Sequence, residues 1–176
     1  GLGDVYKRQR VYARVGDQSG TPVIWEEDYG KGHIEGAVSL PYGKGMQEKF
    51  DILPTDQTIY VYCYSGQTAS QTVALLRLAG KDAYNVSGGF TGISKQEKAK
   101  QLTVKTETAL PEGNYPVDPQ LKQAIREYYE LAAQSGKFNM SAEQVKKEAA
   151  EGKIYLVDIR SENDYLKSRI SFAKEN

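Results

Sequence analysis

The stretch that most constrains this chain is Thr58-Ile59-Tyr60-Val61-Tyr62-Cys63, a short run of β-branched and aromatic residues. Such a run extends as a strand, and Pro54, Thr55 and Asp56 before it and Ser65-Gly66 after it mark its ends. Apolar on both faces, it reads as a buried central strand of a parallel sheet. Val73, Leu75, Leu76 and Leu78 then give a broad apolar face to a helix over 68–79, which Gly80 stops. Ala83-Tyr84-Asn85-Val86 reads as strand again, closed by Gly88-Gly89. Strand, helix and strand at this spacing form a βαβ unit, so the chain belongs to the α/β class.

Downstream, residues 93–114 turn polar and carry Lys95, Lys98, Lys100 and Lys105, which reads as a surface connector. Asp118 caps and Pro119 opens a helix with Leu121, Ala124, Ile125, Tyr128 and Leu131 on one face, ended by Ser135-Gly136. Ser141 with Gln144 makes a capping box for a second helix that Gly152 ends. Ile154-Tyr155-Leu156-Val157-Asp158 then has the composition of a strand.

Composition excludes several function classes. Lys and Arg total 23 against 23 Asp and Glu, so charge offers no case for nucleic acid or an acidic membrane surface. No run approaches the length of a bilayer-spanning helix. One Cys and one His cannot supply a Cys/His zinc site or an intrachain disulfide, and no metal or cofactor is expected. Cysteine usage leaves the compartment open: cytoplasmic, or cell envelope if a signal sequence lies upstream. Residues 1–10 carry no signal-type apolar core and read as a non-native or disordered leader.

One internal echo organises the chain. Asp28-Tyr29-Gly30-Lys31-Gly32-His33-Ile34-Glu35-Gly36-Ala37 and residues 164–173 share five of ten positions, at a domain-length offset of 136 residues. The resulting division is a leader over 1–10, a domain over 11–92, a connector with one helix over 93–140, and the truncated start of a second copy over 141–176.

A lone cysteine closing an apolar strand is by habit a small buried hydrophobe. Cys63, however, sits at the carboxyl end of a parallel strand, where α/β folds place ligands. A short loop with a glycine follows it, and then a helix N-terminus, so backbone N–H groups can curl around an anion. For a thiol lowered from a pKa of about 8.5 to about 6.5, ionisation at neutral pH rises about 25-fold. Falling nucleophilicity takes back about eightfold, leaving about threefold. The cradle therefore matters more for holding a charged sulfur species than for arming the thiol.

Gly32-His33-Ile34-Glu35-Gly36-Ala37, then Cys63-Tyr64-Ser65-Gly66-Gln67-Thr68-Ala69, then Gly88-Gly89-Phe90 resemble the rhodanese family, and Val157-Asp158-Ile159-Arg160-Ser161-Glu162 resembles the opening of another such domain. The resemblance implies a five-stranded parallel sheet with helices on both faces, followed here by a helical connector and the start of a second copy. It implies a sulfurtransferase in which Cys63 is the nucleophile carrying a persulfide and Tyr64, Ser65, Gly66, Gln67 and Thr68 surround it. The partners implied are a small-molecule donor of the thiosulfate or mercaptopyruvate class and a thiophilic acceptor (cyanide, a thiol or a protein). The alternative is a non-catalytic rhodanese-like module that binds a protein. The related phosphatases use a loop one residue longer that ends in arginine; Ala69 stands in that place, and the loop carries no Lys or Arg. His33 is expected as a turn residue satisfied by local backbone rather than as a base, and Tyr60, Tyr62 and Tyr64 as packing residues.

The family's Asp-x-Arg strand is expected just upstream of Asp28, where Thr21-Pro22-Val23-Ile24-Trp25 stands instead, so the first copy's opening strand reads as absent or altered. One consequence is that residues 154–159 dock on the first copy's sheet in its place. The rival is that this tail is the disordered start of a domain cut short.

Overall fold

In the computed structural model, residues 11–15, 25–43, 45–97 and 103–170 are described; the leader expected over 1–10 lies outside them. In chain order the elements are β1 (Val11–Val15), α1 (Trp25–Lys31), β2 (His33–Ile34), β3 (Ala37–Leu40), a 3-10 helix (Met46–Ile52), β4 (Ile59–Tyr62), α2 (Gln67–Leu78), β5 (Ala83–Asn85), α3 (Gly89–Ser94), β6 (Thr103–Val104), α4 (Pro119–Gln134), α5 (Ala142–Ala150) and α6 (Glu162–Lys167). They fall into two units, 1–137 and 138–176.

In the first unit a four-stranded sheet runs in the order β3-β1-β4-β5, every pair parallel. β2 pairs antiparallel with β6 in a separate two-stranded ribbon. The fold class expected from the βαβ pattern holds; the described sheet has four strands rather than five.

The opening strand is present in altered form, which corrects the expectation that it is absent and agrees with the other, that it is altered. Val11-Tyr12-Ala13-Arg14 lies between β3 and β4, with Tyr12 opposite Ala37 and Tyr60. It matches Val157-Asp158-Ile159-Arg160 at Val and Arg, with Tyr12 where the family pattern has Asp. The spacing from Arg to the next helix's Asp is 14 residues in the first copy (14 to 28) and 4 in the second (160 to 164), so an insertion had moved the strand out of its expected place. β1 fills the slot that residues 154–159 were expected to take, and those residues form no strand.

Period-two alternation splits the strands between two cores. Ile59, Val61 and Cys63 join Val38 and Leu40 in the larger cluster, under Leu75 and Leu76 of α2 and Ile125, Tyr129 and Ala132 of α4. Tyr62 turns the other way, to Ile34 and Ala37, with Phe90 and Ile93 of α3 against it. Helices therefore cover both faces. Tyr60 stacks on Tyr84 and Tyr62 on Phe90, so these tyrosines pack as expected.

Residues 103–118 are fastened more firmly than a surface connector. β6 pairs with β2, and Thr108 N donates to the Tyr29 hydroxyl at 3.0 Å. The buried Lys81 ammonium donates to the carbonyls of Leu53 (2.9 Å) and Tyr115 (3.0 Å), and burial pushes its pKa down. Asp51 accepts from Val117 N through its carboxylate (2.9 Å) and from Tyr115 N through its carbonyl (2.7 Å), and its carboxylate also pairs with Lys122 of α4. Asp118 caps α4 by accepting from Gln120 N and Leu121 N, both at 3.0 Å. α4 is thus held to the first unit by Asp51 at its start and by Ile125, Tyr129 and Ala132 along its face.

In the second unit, Ser141 caps α5 and Ser161 caps α6, each through its hydroxyl. The stretch read as a strand is not one. Asp158 accepts from Arg160 N at 3.0 Å and from its guanidinium at 2.6 Å, which closes a local turn, and Tyr155 and Ile159 are each 93% exposed. A strand needs a paired neighbour, and residues 154–159 have none among the described residues.

The Asp51 junction makes a pH-dependent contribution. Lys122, and then the Val117 N–H, hold the Asp51 carboxyl below its ordinary value. A depressed carboxyl stabilises the fold in full above its unfolded pKa of about 3.9, and that stabilisation is lost as pH falls through the lower folded value. Asp51→Asn should cost about 1 kcal/mol in urea unfolding at pH 7. The gap between parent and variant should stay flat above about pH 5 and close progressively below about pH 4. A gap unchanged at strongly acidic pH would mean that the Asp51 charge contributes nothing.

Candidate active site

The site is built where β4 ends and α2 begins. Ile59 to Tyr62 carry the chain through the middle of the sheet, and Cys63 is the first residue beyond the ladder, 1% exposed. The chain then turns through Tyr64 and Ser65 to Gly66, whose φ of 101° caps α2 in the left-handed region. A side chain is strained there, which is why the turn needs glycine.

Gly66 N donates to Cys63 Sγ at 3.1 Å, so one backbone donor of the loop already points at the sulfur. The helix N-terminus adds its partial positive charge on the same side. Of the expected site residues, Gly66 and Thr68 are buried, Tyr64 is half-buried with its ring edge-on to Phe90, and Ser65 and Gln67 are exposed as a rim. The structure gathers all of them, with Cys63, into one turn.

The loop's carbonyls are taken up elsewhere. Phe90 N donates to Cys63 O at 2.7 Å and Thr91 N to Tyr64 O at 3.0 Å, both from the first turn of α3. With those two oxygens turned toward α3, the N–H side of the loop is left for the sulfur. The approach is so close that a Cβ on Gly89 would sit 2.4 Å from Cys63 O and 2.6 Å from Tyr64 O. Gly88-Gly89-Phe90 was visible in the sequence as a pattern; its function here is to let one backbone lie against another.

Asn85 is the residue that sequence reading missed. From β5 its amide donates to Gly66 O at 3.2 Å and to Ser70 Oγ at 2.7 Å. Asn85 lies 19 residues from Gly66, and no spacing signals such a contact.

His33 is not part of this turn. It is fully buried and stacked on Tyr29, with ring centroids 3.6 Å apart. Nδ1 lies 2.8 Å from Tyr29 O, the local backbone contact expected, and Nε2 lies 3.0 Å from Thr106 O, a second contact far along the chain. Both ring nitrogens are engaged with backbone, consistent with a structural role. Among the described residues no group of three or more His, Cys, Asp and Glu side chains could hold a metal ion, and no described helix is long and apolar enough to cross a membrane.

The two glycines should separate in experiment. Gly89→Ala drives a Cβ into two backbone carbonyls at a φ of 55°, and should lower stability by about 3 kcal/mol. Gly66→Ala meets only the end of the Asn85 side chain at 3.3 Å, so backbone strain of about 1 kcal/mol is expected. Thermal melts of the two variants check the order; equal losses would contradict it.

A model of the rhodanese-like domain family matches residues 25–96. Similar solved structures include a rhodanese-related protein from Thermoplasma volcanium, with 21% identity, 60% of this chain and 92% of that chain covered, and a TM-score of 0.44. A protein from Anabaena sp. shows 20% identity, 80% and 88% coverage, and a TM-score of 0.43. A thiosulfate sulfurtransferase from Pseudomonas aeruginosa shows 20% identity over 77% of this chain but 26% of its own length, with a TM-score of 0.43. No curated protein matches the chain. The cysteine turn, the glycine pair behind it and the family match agree: residues 25–96 of this chain are a rhodanese-like domain.

Proposed function

We propose that the chain is a sulfurtransferase that carries sulfane sulfur as a persulfide on Cys63. The observation that carries this reading is the Gly66 N–H on Cys63 Sγ at 3.1 Å, in a loop whose carbonyls are held away by α3. A backbone N–H donor on sulfur stabilises an anionic sulfur species, and a persulfide is anionic.

The cycle balances without an added oxidant. The Cys63 thiolate attacks the outer sulfur of the donor; the new S–S bond forms as the donor's bond to that sulfur breaks, and the donor residue leaves with the electron pair. A cyanide or thiolate acceptor then attacks the outer sulfur, and Cys63 leaves as thiolate. Ser65 and Gln67, exposed at the rim, are the side chains that an arriving donor meets first.

The absence of Lys and Arg from residues 63–68 supports a donor other than a free dianion, since thiosulfate gains from a fixed cation. The Ser-Gly-x-Thr core of residues 65–68 is similar to that of the mercaptopyruvate-type sulfurtransferases. The same neutrality supports the second reading, a rhodanese-like module that binds a protein without transferring sulfur. The echo at residues 157–173 is read as the opening of a second copy.

Intact-mass measurement after treatment with mercaptopyruvate or thiosulfate tests the proposal. A gain of one sulfur, about 32 Da and removed by cyanide, is expected in the parent and not in Cys63→Ala. That variant should melt within a few degrees of the parent, because a thiol at a strand end leaves only a small cavity. No adduct from either donor would leave the binding module as the better reading.

A further inference from the structure

Gly66 is held at both of its backbone groups. Its N–H faces Cys63 Sγ, while its carbonyl accepts from Ser70 N at 2.9 Å, Ser70 Oγ at 2.8 Å and Asn85 Nδ2 at 3.2 Å. The second amide hydrogen of Asn85 goes to Ser70 Oγ at 2.7 Å, which closes a three-membered ring of hydrogen bonds around that one oxygen. Asn85 sits on β5 opposite Val61 of β4, two residues before Cys63. The neighbouring strand thus reaches back over the end of β4 to grip the turn that leaves it.

The direction of this grip matters. The 66–67 peptide is trans, and in a trans unit the C=O and N–H point opposite ways. Fixing Gly66 O toward Ser70 and Asn85 therefore turns the Gln67 N–H out of the N-terminal end of α2, the end at which Gly66 N meets the sulfur. An ordinary first-turn carbonyl has one helical partner; this one has three, two of them from side chains. Such a surplus fixes a single orientation of the 66–67 peptide.

We propose that Asn85 is a positioning residue of the cysteine site: acting with Ser70 through Gly66 O, it fixes the 66–67 peptide and so aims the Gln67 N–H, beside the Gly66 N–H that already meets Sγ, at sulfur carried on Cys63. This rests on the reading of Cys63 as the sulfur carrier and adds a residue outside the loop that sets its geometry. Asn85 does not touch the reacting atoms.

The chain has one cysteine, so alkylation by iodoacetamide followed by intact mass reports on Cys63 alone. Asn85→Leu keeps the side chain's size and removes the donor. Its alkylation at neutral pH should be about two- to threefold slower than the parent's, the worth of one oriented hydrogen bond less the nucleophilicity that a more basic thiolate regains. The pH at which the rate reaches half its plateau should move upward, because the thiolate loses aimed donors. Ser70→Ala should act in the same direction. The double variant should be no slower than the slower single, since both act through one oxygen. Asn85→Gln, which retains an amide, should recover part of the rate.

A half-plateau pH in Asn85→Leu equal to the parent's, whatever the plateau, overturns the proposal. If Asn85→Leu does not fold, the same comparison in Ser70→Ala decides it. Alkylation needs no sulfur donor, so the outcome is independent of sulfur uptake. A shifted profile in a protein that takes up no sulfur would refute the transferase and keep the role of Asn85; uptake with an unshifted profile would do the reverse.

Discussion

The backbone of Gly89 lies against the carbonyls of Cys63 and Tyr64, at a separation that leaves no room for a single carbon atom between them. The rest of the site follows from that contact. It brings the first N–H groups of α3 onto those carbonyls, which points the loop's donors inward and leaves its oxygens out of the sulfur's surroundings. It also requires β5 to run beside β4, because the turn that carries Gly89 starts where β5 ends. Sheet order, glycine identity and loop polarity are one constraint seen at three scales.

Much of this was legible from residues alone. The β-branched and aromatic run to Cys63, the apolar face stopped by Gly80 and the Asp118-Pro119 start of α4 are local signals, and each element formed within a residue or two of its expected ends. Contacts set by tertiary neighbours were not legible. Ile154-Tyr155-Leu156-Val157 has a strand's composition but no partner among the described residues, and pairing rather than propensity makes a strand. Val11-Tyr12-Ala13-Arg14 has a partner on each side, yet it departs from the expected pattern at Tyr12 and lies ten residues further from the following helix than its echo does. The amphipathic face of α4 was visible, but the core that it covers was not. Asn85 carried no sequence signal because its value depends on a carbonyl brought to it by the fold.

The cradle around Cys63 also differs in kind from one built on charged side chains. Residues 63–68 contain no ionic side chain, and the donor facing the sulfur is a backbone dipole. Backbone dipoles are fixed by the fold and cost no reorganisation when charge appears. Ionic side chains are instead placed where they secure chain segments: Lys81 under the turn at Tyr115, and Asp51 with Lys122 at the start of α4. Those groups fasten chain segments around the sheet, while it is a peptide group that meets the Cys63 sulfur.

The position of β1 has a kinetic consequence. The strand pairs with residues 37–40 on one side and 59–62 on the other, so the middle of the sheet comes from an earlier part of the chain than either of its neighbours. A shorter loop closure pairs β1 with β3, and the long loop from β1 to β4 must close before β4 is flanked on both edges. Until then β4 holds only its β5 edge, and the Cys63 turn hangs from a two-stranded ribbon too small to be stable alone. The family match begins at residue 25, downstream of this strand. A fragment cut to the matched residues would retain Gly66, whose N–H meets the sulfur, and lose the strand that joins the two halves of the sheet beneath it.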